Sequence, residues 1–539
     1  MTRVAGLVQY QPLLLSGILE HAAQNFGSVP IVSSSEGLRF RYTYAEAAAR
    51  ARRVASSLQR LGLGEGDFAG SLAWTTYRHF ELMYAVPGIG AVLHTANPRL
   101  SVEHISYTIN HTGERVLFVD PECLEQLAQL RPLLRQVETI VVLGSRAQAP
   151  DTCPGGVIFY EELVTAGEES FCWPQFDERA ASTLCFTSGT TGDPKGVLYS
   201  HRGTYLSSLT IAAPNAWGVS REDAIIALAP FYHCNAWGAT YLGPMAGAKL
   251  ILPGRAMDGG SLHELIVSEG ATVGPGVPTV WLAVAEYCRE KKARLGMLNR
   301  IVCGGAAPPL ELMRALWREH GVRTVQVWGM TETTHAATLL WTEEDVLSGV
   351  AEPRTPQGHP ILGTRIRIID DDGRCLPHDG KTIGHLQVRG HWCASGYLKR
   401  GDIALNDAEG WLKTGDLATI DADSGLRITD RLKDVIKSGG EWVSSIDLEN
   451  AALGHPDVAA AAVIGVPHPK WQERPVIFVV PRSGRELSAD SLRAHLATTV
   501  ARWWLPDEVI LVTELPYNST GKVKKDVLRE RYRQARSSG

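Results

Sequence analysis

The sequence has few cysteines, and their spacing gives them no structural pattern. Nine cysteines are spread over 539 residues, with no Cys-x-x-Cys pair, and several lie in apolar runs. This distribution argues against a disulfide framework and against a zinc site. We therefore predict small buried thiols in a reducing compartment.

Long apolar runs and a strong excess of charge are also missing. No stretch reaches the roughly 18 apolar residues of a membrane span, so no integral membrane segment is expected. The apolar stretch near the N-terminus is broken by Gln9, Gln11 and Pro12, unlike the continuous core of a signal peptide. A net charge of −5 offers no basic surface for nucleic acid. These absences predict a cytoplasmic protein without a nucleic-acid partner.

The chain is too long for one ordinary hydrophobic core, so two or more domains are expected. Strand-like and helix-like patterns alternate from Phe68 to Val119, which predicts an α/β layer with a largely parallel sheet. Thr43 and Glu46 have the spacing of a capping box before a helix over 44–61. A β-rich section follows Gly358, and from Ile446 the pattern predicts a small α+β domain.

The stretch 187–196, TSGTTGDPKG, concentrates four hydroxyls, three glycines and a lysine after an apolar strand. Glycines allow close approach of the backbone, and successive N–H groups with hydroxyls form a concave anion site. Pro194 stands where a Walker A loop has its last glycine, so the stretch is not a Walker A loop. A polar surface turn is the alternative, but it would need far fewer special residues. The composition favours a phosphate-binding loop.

Four further stretches carry chemistry. Glu332 follows an apolar strand in WGMTE, and carboxylates are suited to hard cations. Asp416 ends WLKTGD, and its two oxygens can accept two hydroxyls. SGGEWVSS begins at Ser438, and Lys522 lies in LPYNSTGKVKK. Taken alone, each has an ordinary reading as a turn carboxylate, a flexible loop or a solvated lysine.

Together and in this order, these motifs resemble those of the adenylate-forming enzymes, the superfamily of acyl-CoA synthetases, nonribosomal adenylation domains and luciferases. The resemblance covers essentially the whole chain. It implies a large multi-layer N-terminal domain of mixed sheets, helices and a β-rich subdomain over 1–430. It also implies a small mobile α+β domain over 431–539, with the hinge at 430–434 and Lys433 and Asp434 as hinge residues.

The resemblance implies an AMP-forming acid–thiol ligase that uses ATP, Mg²⁺ and coenzyme A. A carboxylic acid would form acyl-AMP, and the small domain would then rotate so that CoA takes the acyl group. The implied catalytic residues are Lys522, Lys195, His233 and Glu332, and the implied metal site is Thr190 and Glu332. The implied ATP-binding residues are Thr187, Ser188, Gly189, Thr190, Thr191, Gly192, Lys195, Gly305, Ala306, Trp328, Gly329, Thr331, Asp416 and Arg431.

The remaining site residues concern the acyl and CoA groups. The resemblance places His233, Trp237, Gly304, Met330 and His335 in the acyl pocket. From spacing alone, a core histidine is the preferred interpretation of His233, and core packing is an alternative for Trp237. The implied CoA-binding residues are Trp392, Ser438, Gly439, Gly440, Glu441 and Trp442. Trp392 has core packing as its alternative, and for Arg431 and Lys433 the alternative is a solvated surface charge.

The acyl chain is left open between medium- or long-chain fatty acids and a short thioether acid such as methylmercaptopropionate. Tyr232, Cys234, Thr334 and His335 depart from the family pattern near the pocket, and Trp328 replaces a frequent tyrosine. A homodimer is one option for the assembly. The rival functions are an amide-forming adenylating enzyme and a non-catalytic nucleotide-binding regulator. A nonribosomal module is disfavoured, because no carrier domain is expected between Lys522 and Gly539.

Overall fold

The computed structural model describes residues 7–35, 38–148, 153–187, 193–351, 356–439, 441–482, 484–517 and 522–537. Its strands form four sheets. The strands are β1 (Pro30–Ser35), β2 (Leu38–Thr43), β3 (Phe68–Leu72), β4 (Val92–Ala96), β5 (Val116–Val119), β6 (Thr139–Val142), β7 (Ile158–Phe159), β8 (Ala181–Phe186), β9 (Gly196–Ser200), β10 (Ala224–Ile226), β11 (Lys249–Leu252), β12 (Val273–Gly276), β13 (Arg300–Cys303), β14 (Arg323–Trp328), β15 (Thr338–Trp341), β16 (His359–Pro360), β17 (Thr364–Ile369), β18 (Gly384–Gly390), β19 (Leu412–Ile420), β20 (Leu426–Arg431), β21 (Ile436–Ser438), β22 (Glu441–Val443), β23 (Val458–His468), β24 (Gln472–Pro481) and β25 (Glu508–Leu511).

Helices connect most of the parallel strands. They are α1 (Ser16–Asn25), α2 (Tyr44–Arg60), α3 (Tyr77–Gly88), α4 (Val102–Thr112), α5 (Leu124–Leu130), α6 (Tyr160–Ala166), α7 (His201–Ala212), α8 (Ala239–Ala246), α9 (Gly259–Glu269), α10 (Pro278–Lys291), α11 (Leu310–His320), α12 (Glu344–Leu347), α13 (Ser445–Leu453), α14 (Ala489–Thr499) and α15 (Lys525–Ser537). The predicted capping box is present, since Thr43 accepts from the Glu46 N–H and Glu46 accepts from the Thr43 N–H.

Two large sheets make up most of the structure before residue 360. One has seven strands in the order β7-β6-β5-β3-β4-β8-β9, all parallel except for β9. The other has nine strands in the order β16-β15-β14-β13-β12-β10-β11-β1-β2, with a parallel centre. One hydrophobic cluster contains side chains from both sheets and from α1, α2, α3 and α8. The strand–helix alternation in the sequence therefore predicted the correct layer type.

A four-stranded antiparallel sheet, β17-β18-β19-β20, follows the two large sheets. Its last pairing sets Asp416 of β19 opposite Arg431 of β20. Two residues that are distant in sequence therefore become direct neighbours, because cross-strand pairs in an antiparallel ladder lie side by side.

The C-terminal part has a sheet of its own, in which β22, β21, β24 and β23 are antiparallel neighbours and β25 joins β24 in parallel. Helices α13 and α14 pack on one core cluster of this sheet, and α15 contributes to another. β20 ends at Arg431 and β21 begins at Ile436, so the chain passes from one sheet to the next within this short turn. The mixed α/β class and the small C-terminal α+β unit are confirmed.

All nine cysteines have free thiols, and two of them, Cys172 and Cys375, are exposed. Four of the nine are buried and three are half-buried, so the predicted burial is confirmed for four of them and is wrong for the two exposed ones. Within the part of the chain that the structure describes, no helix combines the length and apolar character needed to cross a membrane.

Candidate active site

Two cavities of about 330 Å³ each share one wall. The first is mostly apolar and includes His233, Trp237 and Met330. The second lies between the larger body and the C-terminal sheet and includes Asp416 and Arg431. The residues that line both cavities are Thr279, Gly305, Val327, Gly329 and Lys522.

Asp416 is the centre of a buried polar group in the second cavity. It is 3% exposed, and the indole Nε1 of Trp328 donates to its Oδ2 over 3.1 Å. The Nε of Arg431 lies 2.7 Å from its Oδ1. Burial raises the pKa of the Asp416 carboxyl, while the charge of Arg431 opposes this rise. Each carboxylate oxygen of Asp416 has a further lone pair, so this side chain can accept hydrogen bonds from two ribose hydroxyls.

Lys522 reaches this group from the C-terminal part of the chain. Its pKa is lowered to about 8, first by burial and then by the charge of Arg431, while the charge of Asp416 opposes both effects. The ammonium is thus still mainly protonated at neutral pH. The Lys522 ammonium faces both cavities. A phosphate bound in the second cavity could meet a carboxylate bound in the first cavity at this position.

Glu332 lies in a short 3₁₀ turn, Thr331–Thr333, directly after β14. It is 5% exposed, and the hydroxyl of Tyr397 donates to its Oε1 over 2.5 Å. The Nζ of Lys195 lies 5.5 Å from the centre of the Tyr397 ring. Across the described ranges there is no cluster of three or more metal-ligating side chains. A single carboxylate nevertheless fits Mg²⁺, which proteins hold through one or two carboxylates together with substrate phosphates.

The two described ends of the predicted phosphate loop are joined. The N–H of Lys195 donates to the Thr187 Oγ1 over 3.2 Å, and the N–H of Thr187 donates to the Lys195 carbonyl over 2.9 Å. The ATP-site and metal predictions at 188–192, which are Ser188, Gly189, Thr190, Thr191 and Gly192, lie outside the described residues.

Four of the five residues predicted for the acyl pocket line the first cavity: His233, Trp237, Met330 and His335. Gly304 does not, because it packs under β14, where an added Cβ would lie 2.5 Å from Val327. Gly305 takes that place at the cavity wall. Burial lowers the pKa of His335 to about 3, so its ring is neutral, and its Nδ1 is hydrogen-bonded to Ser207 over 3.0 Å.

The wall that carries His233 and Trp237 has an unusual backbone. Cys234, Asn235, Ala236 and Trp237 have φ angles of 37°, 43°, 63° and 53°, and Gly238 follows at 90°. Left-handed residues other than glycine are uncommon, and four in succession are strained. We call 234–238 the left-handed turn. The sequence holds little sign of it, since only Asn235 and Gly238 belong to types that favour this conformation.

None of the predicted CoA residues that the structure describes lines either cavity. Ser438, Gly439 and Trp442 line neither cavity, and the Gly439 N–H donates to the Trp471 carbonyl in the C-terminal sheet. Gly440 and the Glu441 side chain lie outside what the structure describes. Trp392 packs in the hydrophobic core, which was the alternative to a CoA contact. It is 5% exposed, belongs to the main core cluster and donates to the Ala336 carbonyl.

Polar contacts hold the C-terminal part against the four-stranded sheet. The Ser445 N–H, at the start of α13, donates to the Asp430 Oδ2 over 2.6 Å, and the Ser444 hydroxyl donates to the Thr429 carbonyl. Beyond the predicted hinge, Arg529 of α15 pairs with Asp434 over 2.9 Å. The Lys433 carbonyl accepts from Arg529 as well. In this arrangement Lys522 reaches the cavities.

Several residues at the site were missed by sequence reasoning. Tyr397 supports Glu332, Tyr199 donates to the Thr331 carbonyl over 2.8 Å, and Asn235 anchors the left-handed turn. None lies in a stretch with unusual composition. Only three-dimensional pairing shows what these side chains contact.

The fold and the paired cavities, one mostly apolar and one with buried charged groups, have the form of an enzyme site with two compartments. The chain belongs to the AMP-binding enzyme family, whose main domain matches residues 19–398 and whose C-terminal domain matches residues 447–522.

It is 44% identical to a 3-methylmercaptopropionyl-CoA ligase of Ruegeria lacuscaerulensis over 98% of this chain and 99% of that protein. It is 41% identical to a medium-chain-fatty-acid CoA ligase of Ectopseudomonas oleovorans over 98% of this chain and 97% of that protein. An anthranilate CoA ligase in complex with anthranoyl-AMP superposes with a TM-score of 0.88 at 25% identity, covering 98% and 99% of the two chains.

The predicted family and reaction class are therefore confirmed. The chain is an acid–thiol ligase that forms acyl-CoA and AMP from a carboxylic acid, coenzyme A and ATP, with Mg²⁺.

Proposed function

We propose that the first cavity binds the acyl group and the second binds ATP, and that the two substrates react where the cavities meet. The acid's carboxylate oxygen attacks the α-phosphorus, the bond to the bridging oxygen breaks, and pyrophosphate leaves. CoA thiolate then attacks the acyl carbon, and AMP leaves with the bonding electrons. His233 faces the acyl carboxylate, and Asp416 with Arg431 holds the ribose side of the nucleotide.

The position of Lys522 in the walls of both cavities carries this proposal. Negative charge grows on the phosphate oxygens during the first step, and fixed cations are the main means of stabilising it. Lys522 meets that charge, and we assign the same role to Lys195. When bound at Glu332, Mg²⁺ neutralises further phosphate charge.

The proposed acids are medium- or long-chain fatty acids or a short thioether acid such as methylmercaptopropionate. The lining of the first cavity supports a largely apolar chain, since Leu228, Met257 and Val280 belong to it. The named relatives support the same choice, because one acts on 3-methylmercaptopropionate and another on medium-chain fatty acids.

We place a domain rotation about 430–434 between the two steps, with Lys433 and Asp434 as the hinge. The rotation would withdraw Lys522 and bring 438–442 to the site for CoA. It is supported by the observation that Ser438, Gly439 and Trp442 line neither cavity in this arrangement, in which Lys522 lines both. The contacts that such a motion must break include the Ser445–Asp430 and Ser444–Thr429 hydrogen bonds.

The proposal also places the enzyme in the cytoplasm, which its nine free thiols support. We also propose that the protein is a homodimer. Light scattering coupled to size-exclusion chromatography tests this by measuring the molar mass, and the mass of a monomer at working concentrations would contradict it.

The test is AMP release by the purified protein with ATP, Mg²⁺ and a panel of acids, each with and without CoA. The panel contains propionate, methylmercaptopropionate, straight-chain fatty acids of increasing length, and benzoates. The proposal predicts CoA-dependent AMP release that is highest with an aliphatic acid. Release indifferent to CoA would point to amide synthesis, release highest with benzoates would overturn the substrate choice, and no release with any acid would favour a nucleotide-binding regulator.

A further inference from the structure

The left-handed turn at 234–238 is a strained element in the wall of a binding cavity. Its two ends project into that cavity, since His233 and Cys234 line it at one end and Trp237 at the other. An added Cβ on Gly238 would lie 2.6 Å from Ile211 and 3.1 Å from His335, so the turn is also closely packed from behind. A backbone held away from its preferred conformation needs contacts that fix it.

Asn235 supplies most of these contacts. Its side chain is buried, with the residue 2% exposed. The Thr183 hydroxyl donates to Asn235 Oδ1 over 2.5 Å. Asn235 Nδ2 donates to the Phe231 carbonyl over 3.3 Å and to the Thr95 Oγ1 over 3.4 Å. Its backbone carbonyl accepts from the Thr240 hydroxyl over 3.1 Å.

These partners belong to different layers of the fold. Thr183 lies in β8 and Thr95 in β4, both in the seven-stranded sheet, whereas the turn follows β10 of the nine-stranded sheet. Asn235 therefore ties the turn across the space between the two sheets. Its amide supplies a carbonyl acceptor for Thr183 and an N–H donor for Thr95 at the same time.

We propose that Asn235 is a positioning residue for the acyl cavity. By fixing the left-handed turn to the seven-stranded sheet, it holds His233 and Trp237 in the cavity wall and so decides which acids the cavity accepts. This inference rests on the proposed function, because it takes the first cavity as the acyl site. Asn235 does not line the cavity, so it acts through the residues on either side of it.

Two substitutions separate the side-chain anchor from the backbone strain. Asn235→Gly removes the anchor but leaves a residue that adopts positive φ freely. Ala236→Gly relieves strain at the neighbouring position, where φ is 63°, and keeps the anchor. If the anchor matters, the first variant loses acid selection and the second retains it.

The main experiment measures KM for the acid, KM for ATP and the acid-length profile for the wild type, Asn235→Gly, Asn235→Ala and Ala236→Gly. We expect both Asn235 variants to raise KM for the preferred acid roughly tenfold, the cost of one unpaired buried polar group. KM for ATP should change less than about twofold, and the preference among chain lengths should flatten. Ala236→Gly should keep the wild-type profile.

Thr183→Val provides a second approach, since it removes the partner of Asn235 from the neighbouring strand. Its effect on KM for the acid should not add to that of Asn235→Ala, because both remove the same contact. A wild-type acid profile in both Asn235 variants would overturn the proposal, as would a parallel rise of both KM values. If the wild-type protein turns over no acid at all, the proposed function itself fails. If the wild type turns over acids normally and the Asn235 variants behave like it, only the proposed role of Asn235 fails.

Discussion

Lys522 makes the pH dependence of the first half-reaction predictable. Its pKa is lowered to about 8 by burial and by the charge of Arg431. With that pKa, about nine tenths of the ammonium is charged at pH 7 and about one tenth at pH 9. The cation is lost as pH rises, so kcat/KM for ATP should fall about tenfold between pH 7 and pH 9, since this parameter reports groups of the free enzyme.

The measurement is acid-dependent exchange of pyrophosphate into ATP across this pH range. Lys522→Arg is the matched variant, because a guanidinium keeps its charge throughout. We expect this variant to be slower than the wild type, but its rate should not fall between pH 7 and pH 9. The same fall in Lys522→Arg would show that another group titrates. A wild-type rate that stays constant to pH 9 would refute the assigned pKa.

Lys522→Ala tests the two-step scheme with the same protein. Exchange should fall by a factor of roughly 10²–10³, the range for loss of one charge-stabilising group. Thioester formation from preformed acyl-AMP should be much less affected, because the proposed rotation withdraws Lys522 before that step. Equal losses in both half-reactions would contradict the proposed rotation.

Three further predictions follow from the polar contacts. Asp416→Asn leaves Arg431 without its anionic partner and should raise KM for ATP roughly tenfold, with KM for the acid unchanged. Tyr397→Phe removes the hydrogen bond that fixes Glu332, so half-maximal activity should need about tenfold more Mg²⁺; Mg²⁺ titration measures this. Asp430→Asn weakens the contact with Ser445 and should slow pyrophosphate exchange more than thioester formation from acyl-AMP.

Each of these predictions has its own control. A rise of both KM values in Asp416→Asn would indicate general damage to the site. An unchanged Mg²⁺ requirement in Tyr397→Phe would mean that Glu332 keeps its position without the hydroxyl. For Asp430, burial raises the pKa to about 6, so its charge is present above pH 6 and lost below. The wild type should therefore approach the Asp430→Asn behaviour as pH falls through 6, and failure to do so would contradict the assigned role.

The sequence predicted the fold class and most regular elements because local patterns determine them. The helix after Thr43 carries both of its capping residues within four positions, and α2 begins where they predict. By contrast, the β1–β2 hairpin was missed, because β2 is mostly exposed and lacks a buried alternation.

Candidate site residues could be proposed from the sequence where a motif is compact. Glu332, Asp416 and Lys522 stand in stretches of unusual composition. Asp416 lines the second cavity, Lys522 lines both, and Glu332 follows Thr331, which lines the first. The contact of Trp328 with Asp416 joins residues 88 positions apart, and the hydrogen bond from Asn235 to Thr95 spans 140 positions. Such pairs depend on sheet order and register, which a single sequence does not encode locally.

The shared wall of the two cavities has a consequence for inhibitors. A molecule that fills only one cavity gains nothing from the other, whereas a single molecule that spans both loses its translational and rotational freedom only once. A stable mimic of the acyl-adenylate should carry its hydrogen-bond acceptors at the junction beside Lys522 and Gly305, with a narrow linker between an apolar arm and a nucleoside arm. Selectivity among related ligases would then depend on the apolar arm alone, since the nucleoside arm meets groups that serve every acid.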